Sequence, residues 1–276
     1  MANPCRLMFA LVFSASLILS CKKDGPHPSA ANNDIVETVP ANQRPVSTFI
    51  NQYISGYYES IPQHYQVTTK NYPLIIFLHG AGQEGDGGQD LPLVLHDGIA
   101  KQIQEKTFPP NFNVDGNNFS FLVLSPQMRA MPTDTMIISF LNFARQYYRI
   151  DPTRIYLVGI SMGGVVTTQV GGRYSSSFAA AVSVAGASYG ADKATYATGV
   201  ARGALPLWSF HNTGDPVISS SATVDFVNMV NSSNPVIAAK KTLFTASVHD
   251  AWTKALDPAY KENNMNVYEW LLHYKR

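Results

Sequence analysis

The stretch Ile155-Tyr156-Leu157-Val158-Gly159-Ile160-Ser161-Met162-Gly163-Gly164 decides how the rest of the chain is read. Its first four residues form a continuous apolar run, the mark of a strand buried on both faces. The run enters a G-x-S-x-G pattern, in which a serine takes a sharp turn between a strand and a helix and holds its hydroxyl above the sheet. In so tight a turn, side chains two residues to either side of Ser161 would collide with the neighbouring strand and helix. Gly159 and Gly163 have none.

Outward from this turn the pattern alternates strand and helix. On the N-terminal side, Gly56 to Tyr65 reads as an early strand and turn, and Pro73 to Leu78 as a short buried strand broken by His79-Gly80-Ala81-Gly82. Leu91 to Lys106 has the helical spacing of Leu95, Ile99 and Ile103. Phe119 to Leu124 predicts a second buried strand, and a helix capped by Asp134 is expected to run to about Tyr148. Beyond Ser161 the spacing predicts a helix to about Gly171, strands over 179–184, 205–210 and 241–245, and helices over 219–230 and 266–274. Regular alternation of this kind implies an α/β fold, a mostly parallel sheet with helices on both faces and ligands at the carboxyl ends of the strands.

A serine at neutral pH is a weak nucleophile unless a base lies within hydrogen-bond reach, itself oriented by a carboxylate. The chain order that accompanies this turn is serine, acid, histidine. His249 follows the last predicted strand and is the expected base, whereas His273 lies on the terminal helix and His211 precedes the best acid. That acid is Asp215, in the loop Asn212-Thr213-Gly214-Asp215-Pro216; Asp225 falls within a helix pattern, and Asp250 reads as structural. Two N–H donors are needed for a tetrahedral oxyanion. The backbone of Met162, at the helix start, and of Ala81, after His79-Gly80, are the candidates. His79 precedes the nucleophile and is expected to order its loop.

At 276 residues the chain has about the length at which one hydrophobic core stops growing, so one main domain is expected. Hydrophobic residues make up 45% and charged residues only 14%, a composition that fills a core and excludes a disordered chain. The formal charge of +1, without a run of four like charges, excludes nucleic acid as a partner. Arg6 precedes an apolar stretch from Leu7 to Leu19 with the length of a secretory-signal core. Leu17-Ile18-Leu19-Ser20-Cys21 resembles the bacterial lipoprotein processing box, which implies lipidation at Cys21 and a membrane as partner through that lipid. Residues 1–20 are therefore expected to be a signal peptide, residues 21–43 a lipidated N-terminus and flexible tether, and residues 44–276 the catalytic domain, held at the cell envelope. The only other cysteine, Cys5, falls in the signal, so no thiol is left for a disulfide or a metal site. Neither a metal nor a cofactor is expected.

The stretches PLIIFLHGAG, DPTRIYLVGISMGG, FHNTGDPV and VHDAW resemble the α/β-hydrolase esterases related to feruloyl esterases, acetylxylan esterases, polyhydroxybutyrate depolymerases and a group of predicted peptidases. The resemblance extends over about residues 56–276. It implies the α/β-hydrolase fold, Ser161 as nucleophile, Asp215 as acid, His249 as base and Ala81 and Met162 as oxyanion donors. Val248 departs from the family, which usually has glycine before the histidine. Gln127, at a strand end, and Trp252, three residues past His249, are candidates for substrate contact; Tyr57, Tyr58 and Tyr189 are weaker ones. The connection between Val184 and Leu205 is too short for a cap with its own core, which implies an open groove suited to an ester hanging from a polymer or to a small ester. Three functions stay open: an esterase of short or aromatic acyl groups such as acetyl or feruloyl groups on polysaccharide, a serine peptidase, and a non-catalytic surface binding module.

Overall fold

The computed structural model describes residues 35–276. The expectations for residues 1–20, for Cys21 and for the tether as far as residue 34 lie outside the described residues. The remainder of the expected tether is a correction, because Glu37 is buried and accepts hydrogen bonds from both the backbone and the Nδ1 of His64, at 3.0 and 2.9 Å. A strand, β1 (Asn42–Asn51), follows at once.

β1 forms a hairpin with β2 (Ile54–Ile61), and this pair begins an eight-stranded sheet. The others in that sheet are β3 (Tyr72–Leu78), β6 (Leu122–Pro126), β7 (Ile150–Ile160), β8 (Ala180–Val184), β9 (Leu207–Asn212) and β10 (Lys240–Phe244). The spatial order is β1-β2-β6-β3-β7-β8-β9-β10. From β6 to β10 every pair is parallel, and β1 and β2 are antiparallel additions at one edge. This is the α/β-hydrolase fold, with a mostly parallel sheet covered by helices.

The two-faced burial follows from the residues of β3, in which Leu74 to Leu78 are all inaccessible to solvent. Leu74, Ile76 and Leu78 enter one core with Phe140, Val166, Val200 and Phe226, from α2 (Asp134–Tyr147), α3 (Met162–Arg173), α4 (Lys193–Arg202) and α5 (Ser220–Ser232). Ile75 and Phe77 enter the other with Ile99, Ala255 and Tyr268, from α1 (Gly98–Gln104), α6 (Trp252–Ala255) and α7 (Val267–Leu272). Period-two alternation along a strand thus distributes one apolar run between two cores. Among the described residues no helix is long and apolar enough to cross a membrane.

Several elements differ from the sequence expectation. The helix over 91–106 is interrupted: a 3₁₀ segment, Leu91–His96, ends before Gly98, whose φ of +63° breaks the helical path, and only then does α1 begin. Phe119 belongs to a small hairpin of β4 (Phe112–Val114) and β5 (Asn117–Phe119), turned at Asp115-Gly116 with both φ values positive, the conformation that an Asp-Gly pair favours. The connection after Val184 carries α4, which lies against α3 where Gly199 approaches Gly172 so closely that a Cβ on Gly199 would be 2.8 Å from the Gly172 carbonyl carbon. That segment covers the sheet and forms no cap over the strand ends.

Candidate active site

The register aligns Leu78 with Gly159, Ile160 with Val184, Val184 with Phe210, and Asn212 with Phe244, so that β3, β7, β8, β9 and β10 end along one edge. Ser161 stands there between β7 and α3 with φ 50° and ψ −118°, a conformation rare for a residue with a side chain. Its own N–H donates to the Val184 carbonyl at 2.8 Å. A Cβ on Gly159 would lie 2.5 Å from Thr167 Oγ1, and one on Gly163 2.6 Å from the carbonyl carbon of Leu78. The tightness of the turn therefore requires glycine on both sides of the serine.

Three side chains form a line at this edge. Ser161 Oγ donates to His249 Nε2 at 2.8 Å, and His249 Nδ1 donates to Asp215 Oδ2 at 2.6 Å. The Asp215 side chain has no exposed surface, and its Oδ1 accepts the N–H groups of Val217 and Ile218. Burial alone would raise its pKa, but the bonds from His249, Val217 and Ile218 outweigh it and hold the carboxyl below its usual range. His211, also fully buried, touches the same carboxylate: its Nε2 lies 3.1 Å from Asp215 Oδ2 and 2.9 Å from the Ile218 carbonyl, both acceptors, so Nε2 carries the proton. Nδ1 then accepts from the Thr223 hydroxyl at 2.7 Å, and burial lowers the ring's pKa. Asn212 flanks the base, its Nδ2 donating to the carbonyls of Val248 at 2.9 Å and Asp250 at 3.1 Å. The carbonyl of Val248 is thus fixed while its side chain stays exposed.

The loop after β3 supplies the facing group. Gly80's carbonyl accepts from His79 Nδ1 at 2.7 Å and from the Gln83 N–H at 3.1 Å, and because the peptide unit is planar and trans this turns the Ala81 N–H to the opposite side. Ala81 and Met162 both line a cavity with Ser161, and among the described hydrogen bonds neither N–H has an acceptor in the chain. His79 is wholly buried, its Nε2 accepts the Met128 N–H at 2.8 Å, and its carbonyl accepts the Gly163 N–H, so it binds this loop both to the end of β6 and to the serine turn.

Burial brings the His79 pKa down to about 4, against the partial opposition of its bond to Gly80. The unfolded chain takes up this proton near pH 6.5 and the folded chain only near 4, so stability is complete above about pH 6.5 and falls as pH drops toward 4, by about 3 kcal/mol from this residue. Melting temperatures measured from pH 7 to 4 are expected to fall across that window, and less steeply in His79→Gln. An equal slope in the variant would refute this origin. The contribution of Asp215 is lost at lower pH, as its depressed pKa is crossed.

Two cavities meet at Ser161. One, of about 560 Å³, is lined mainly by apolar groups, among them Met131, Met162, Val165, Tyr189, Val217 and Ile218. The other, of about 320 Å³, is lined by Gln83, His96, Asp97, His249 and Trp252. Met131, Tyr189 and Val217 are substantially exposed at the rim, so the site opens to the surface.

The family model of phospholipases and carboxylesterases matches residues 65–264. The chain belongs to that family. Search of curated proteins gave no match for this carboxylesterase-family chain. Among solved structures it is similar to a thermostable esterase (20% identity, TM-score 0.58, 86% of this chain and 64% of the other). It is similar also to the feruloyl esterase module from Clostridium thermocellum solved with sinapinate (12%, 0.55, 82% and 87%). A third is the acylaminoacyl peptidase of Pyrococcus horikoshii (15%, 0.51, 76% and 38%). The chain thus spans under two thirds of the thermostable esterase, and at these identities the likeness is one of fold.

Within this carboxylesterase-family fold some expected substrate contacts fall elsewhere. Gln127 is fully buried; its amide nitrogen donates to the carbonyls of Gln83 and Asp90 and its oxygen accepts the Gly87 N–H, so it ties down the 83–90 loop and has no group left for a substrate. Tyr57 and Tyr58 are core residues, and the Tyr57 hydroxyl meets that of Tyr148 at 2.6 Å. Trp252 lines the smaller cavity, its ring edge-on to His249 with centroids 5.2 Å apart. Tyr189 lines the apolar one. Asp250 accepts from the N–H and hydroxyl of Thr253, Asp225 lies exposed on α5, and His273 is exposed near Asp115. Among the described residues no three His, Cys, Asp or Glu side chains are grouped to hold a metal ion. The sequence sets His211 aside as preceding the acid and places Asn212 in the loop of Asp215, with no role for either; in the structure both lie in β9, His211 against Asp215 and Asn212 against the loop that carries His249.

Proposed function

We propose that the protein is a serine carboxylesterase acting through an acyl-enzyme intermediate, with Ser161 as nucleophile, His249 as general base and acid, and Asp215 as the group that orients and stabilises the imidazolium. The observation that carries this is the hydrogen-bonded line from Ser161 to Asp215, ending at a hydroxyl beside two N–H groups without acceptors. Oγ attacks the ester carbonyl as its proton passes to His249 Nε2. The N–H groups of Ala81 and Met162 hold the resulting oxyanion, and Met162 adds the positive end of the α3 dipole. Collapse expels an alkoxide that takes the proton from His249, and water then repeats the sequence on the acyl serine.

The two cavities divide the substrate. The proton donor, His249, lines the smaller cavity, so the departing alcohol occupies that cavity beside His96 and Trp252, and the acyl group occupies the larger, more apolar one. Short-chain and aromatic acyl groups suit its size, and the open rim admits an ester carried on a bulky polymer such as a decorated polysaccharide. Lipidation at Cys21 would hold the enzyme at the cell envelope, where such polymers are met.

A single preparation series tests both parts. The purified domain assayed against acetylated and feruloylated glycans, short acyl esters and peptides is expected to show its highest kcat/KM on an ester, with no effect of chelators. A peptide exceeding every ester would replace this reading with the peptidase. In cells the wild type is expected in the membrane fraction and Cys21→Ser outside it; wild-type protein found soluble would end the lipoprotein part.

A further inference from the structure

Asp97 occupies the N-cap position of α1, where an aspartate ordinarily accepts the N–H groups of the first helical turn. Its side chain makes no capping bond. Instead Oδ2 accepts from Gln83 Nε2 and Oδ1 from the Trp252 indole N–H, both at 3.1 Å. Gln83 is buried, and its Oε1 accepts the Gly80 N–H at 2.8 Å while its backbone N–H holds the Gly80 carbonyl; it thereby fixes the peptide that presents the Ala81 N–H. Trp252 sets its ring edge-on to His249, 88° between planes.

We infer that Asp97 is a positioning residue for the esterase chemistry proposed above, one carboxylate that holds the oxyanion-binding loop and the base in mutual register. The geometry explains why a helix start gives up its cap: a carboxylate has two oxygens, and here each faces a different half of the reacting centre. Gln83 alone would fix the loop, and Trp252 alone would abut the histidine; the Asp97 carboxylate bonds to both and so relates one to the other directly. The chain brings these three together from far apart in sequence, across the ends of β3 and β10. Misplacement of a donor or base by about an ångström lowers catalysis far more than it lowers ground-state binding.

The test rests on the serine reading and is built to fail separately from it. With a short p-nitrophenyl ester, active sites are first counted by burst titration, and kcat is expressed per titrated site. Asp97→Ala is expected to lower kcat by about 10- to 100-fold with little change in KM. It is expected to weaken inhibition by an alkyl boronic acid, whose adduct with Ser161 needs the same donors, by the same factor as kcat/KM. Gln83→Leu and Trp252→Phe each cut one arm and should show part of the loss, and adding either to Asp97→Ala should cost little more. Unchanged kcat per site and boronate affinity in Asp97→Ala, or a loss confined to the number of titrated sites, overturns the inference. Should Asp97→Ala not fold, the two single-arm variants decide it by the same readouts. Ser161→Ala in parallel separates the cases: undiminished turnover there defeats the serine mechanism itself, whereas its loss alongside an intact Asp97→Ala defeats only the positioning role.

Discussion

Ser161→Ala and His249→Ala are each expected to lower kcat/KM for the best ester by about 10⁴-fold or more, and the double variant little further. The reason lies in the sharing of one proton. Without Oγ there is nothing to acylate, and without Nε2 the hydroxyl stays protonated; removing the second member of a line already broken changes nothing more. Asp215→Asn should cost somewhat less, because the amide oxygen can still accept from His249 Nδ1 while the charge that stabilises the imidazolium is gone. Folding is a small concern for Ser161→Ala, which deletes one partly exposed oxygen and leaves the turn's backbone bonds to Val184 and Val165 intact. Steady-state kinetics with melting curves on the same samples read both effects. Activity retained in Ser161→Ala would place the nucleophile elsewhere.

Gly163→Ala comes second in expected effect although it touches no substrate. Its added methyl would stand 2.6 Å from the Leu78 carbonyl carbon and 2.7 Å from the His79 carbonyl oxygen, both main chain at the end of a wholly buried strand. Neither neighbour can yield without moving β3 or α3. Overpacking of this kind costs about 1–3 kcal/mol, roughly 5–10 °C in melting temperature at the upper end for a domain of this size. The displacement is passed directly to the Ala81 and Met162 N–H groups, because the Gly163 N–H is itself bonded to the His79 carbonyl. A loss of about 10²-fold in kcat is expected in the fraction that folds. A variant with wild-type melting temperature and kcat would show that the turn relaxes, contrary to the packing described.

The central strands and the serine turn were legible because their signals are local: PLIIFL and IYLV are apolar throughout, and a serine between two glycines after such a run leaves few other geometries. Asp215 and His249 were legible from chain order, each in the loop after a predicted strand. Edge elements were less so. β1 is half-exposed along its whole length, and its residues, Pro45 among them, alternate too weakly to stand out from a linker. Residues 91–106 kept helical spacing across a break that only Gly98's backbone reveals. Gln127 was misread for a different reason. A glutamine at a strand end near a site looks the same in sequence whether its amide faces a substrate or three backbone groups of the neighbouring loop, and here it faces the loop. Asp97 was invisible for the same reason, since its partners are Gln83 and Trp252.

The eighth strand of the sheet has a further consequence. β10 is paired on one side only, to β9, and two of its five residues are exposed; His249 leaves the sheet five residues beyond it, held by Asn212 through the Val248 carbonyl and by its bonds to Asp215 and Ser161. The base of the proposed mechanism is therefore carried by a loop of an edge strand, and opening that edge would cost less free energy than melting the two cores. Fraying at that margin would part His249 from Ser161 while leaving the serine turn and the two cores beneath it folded.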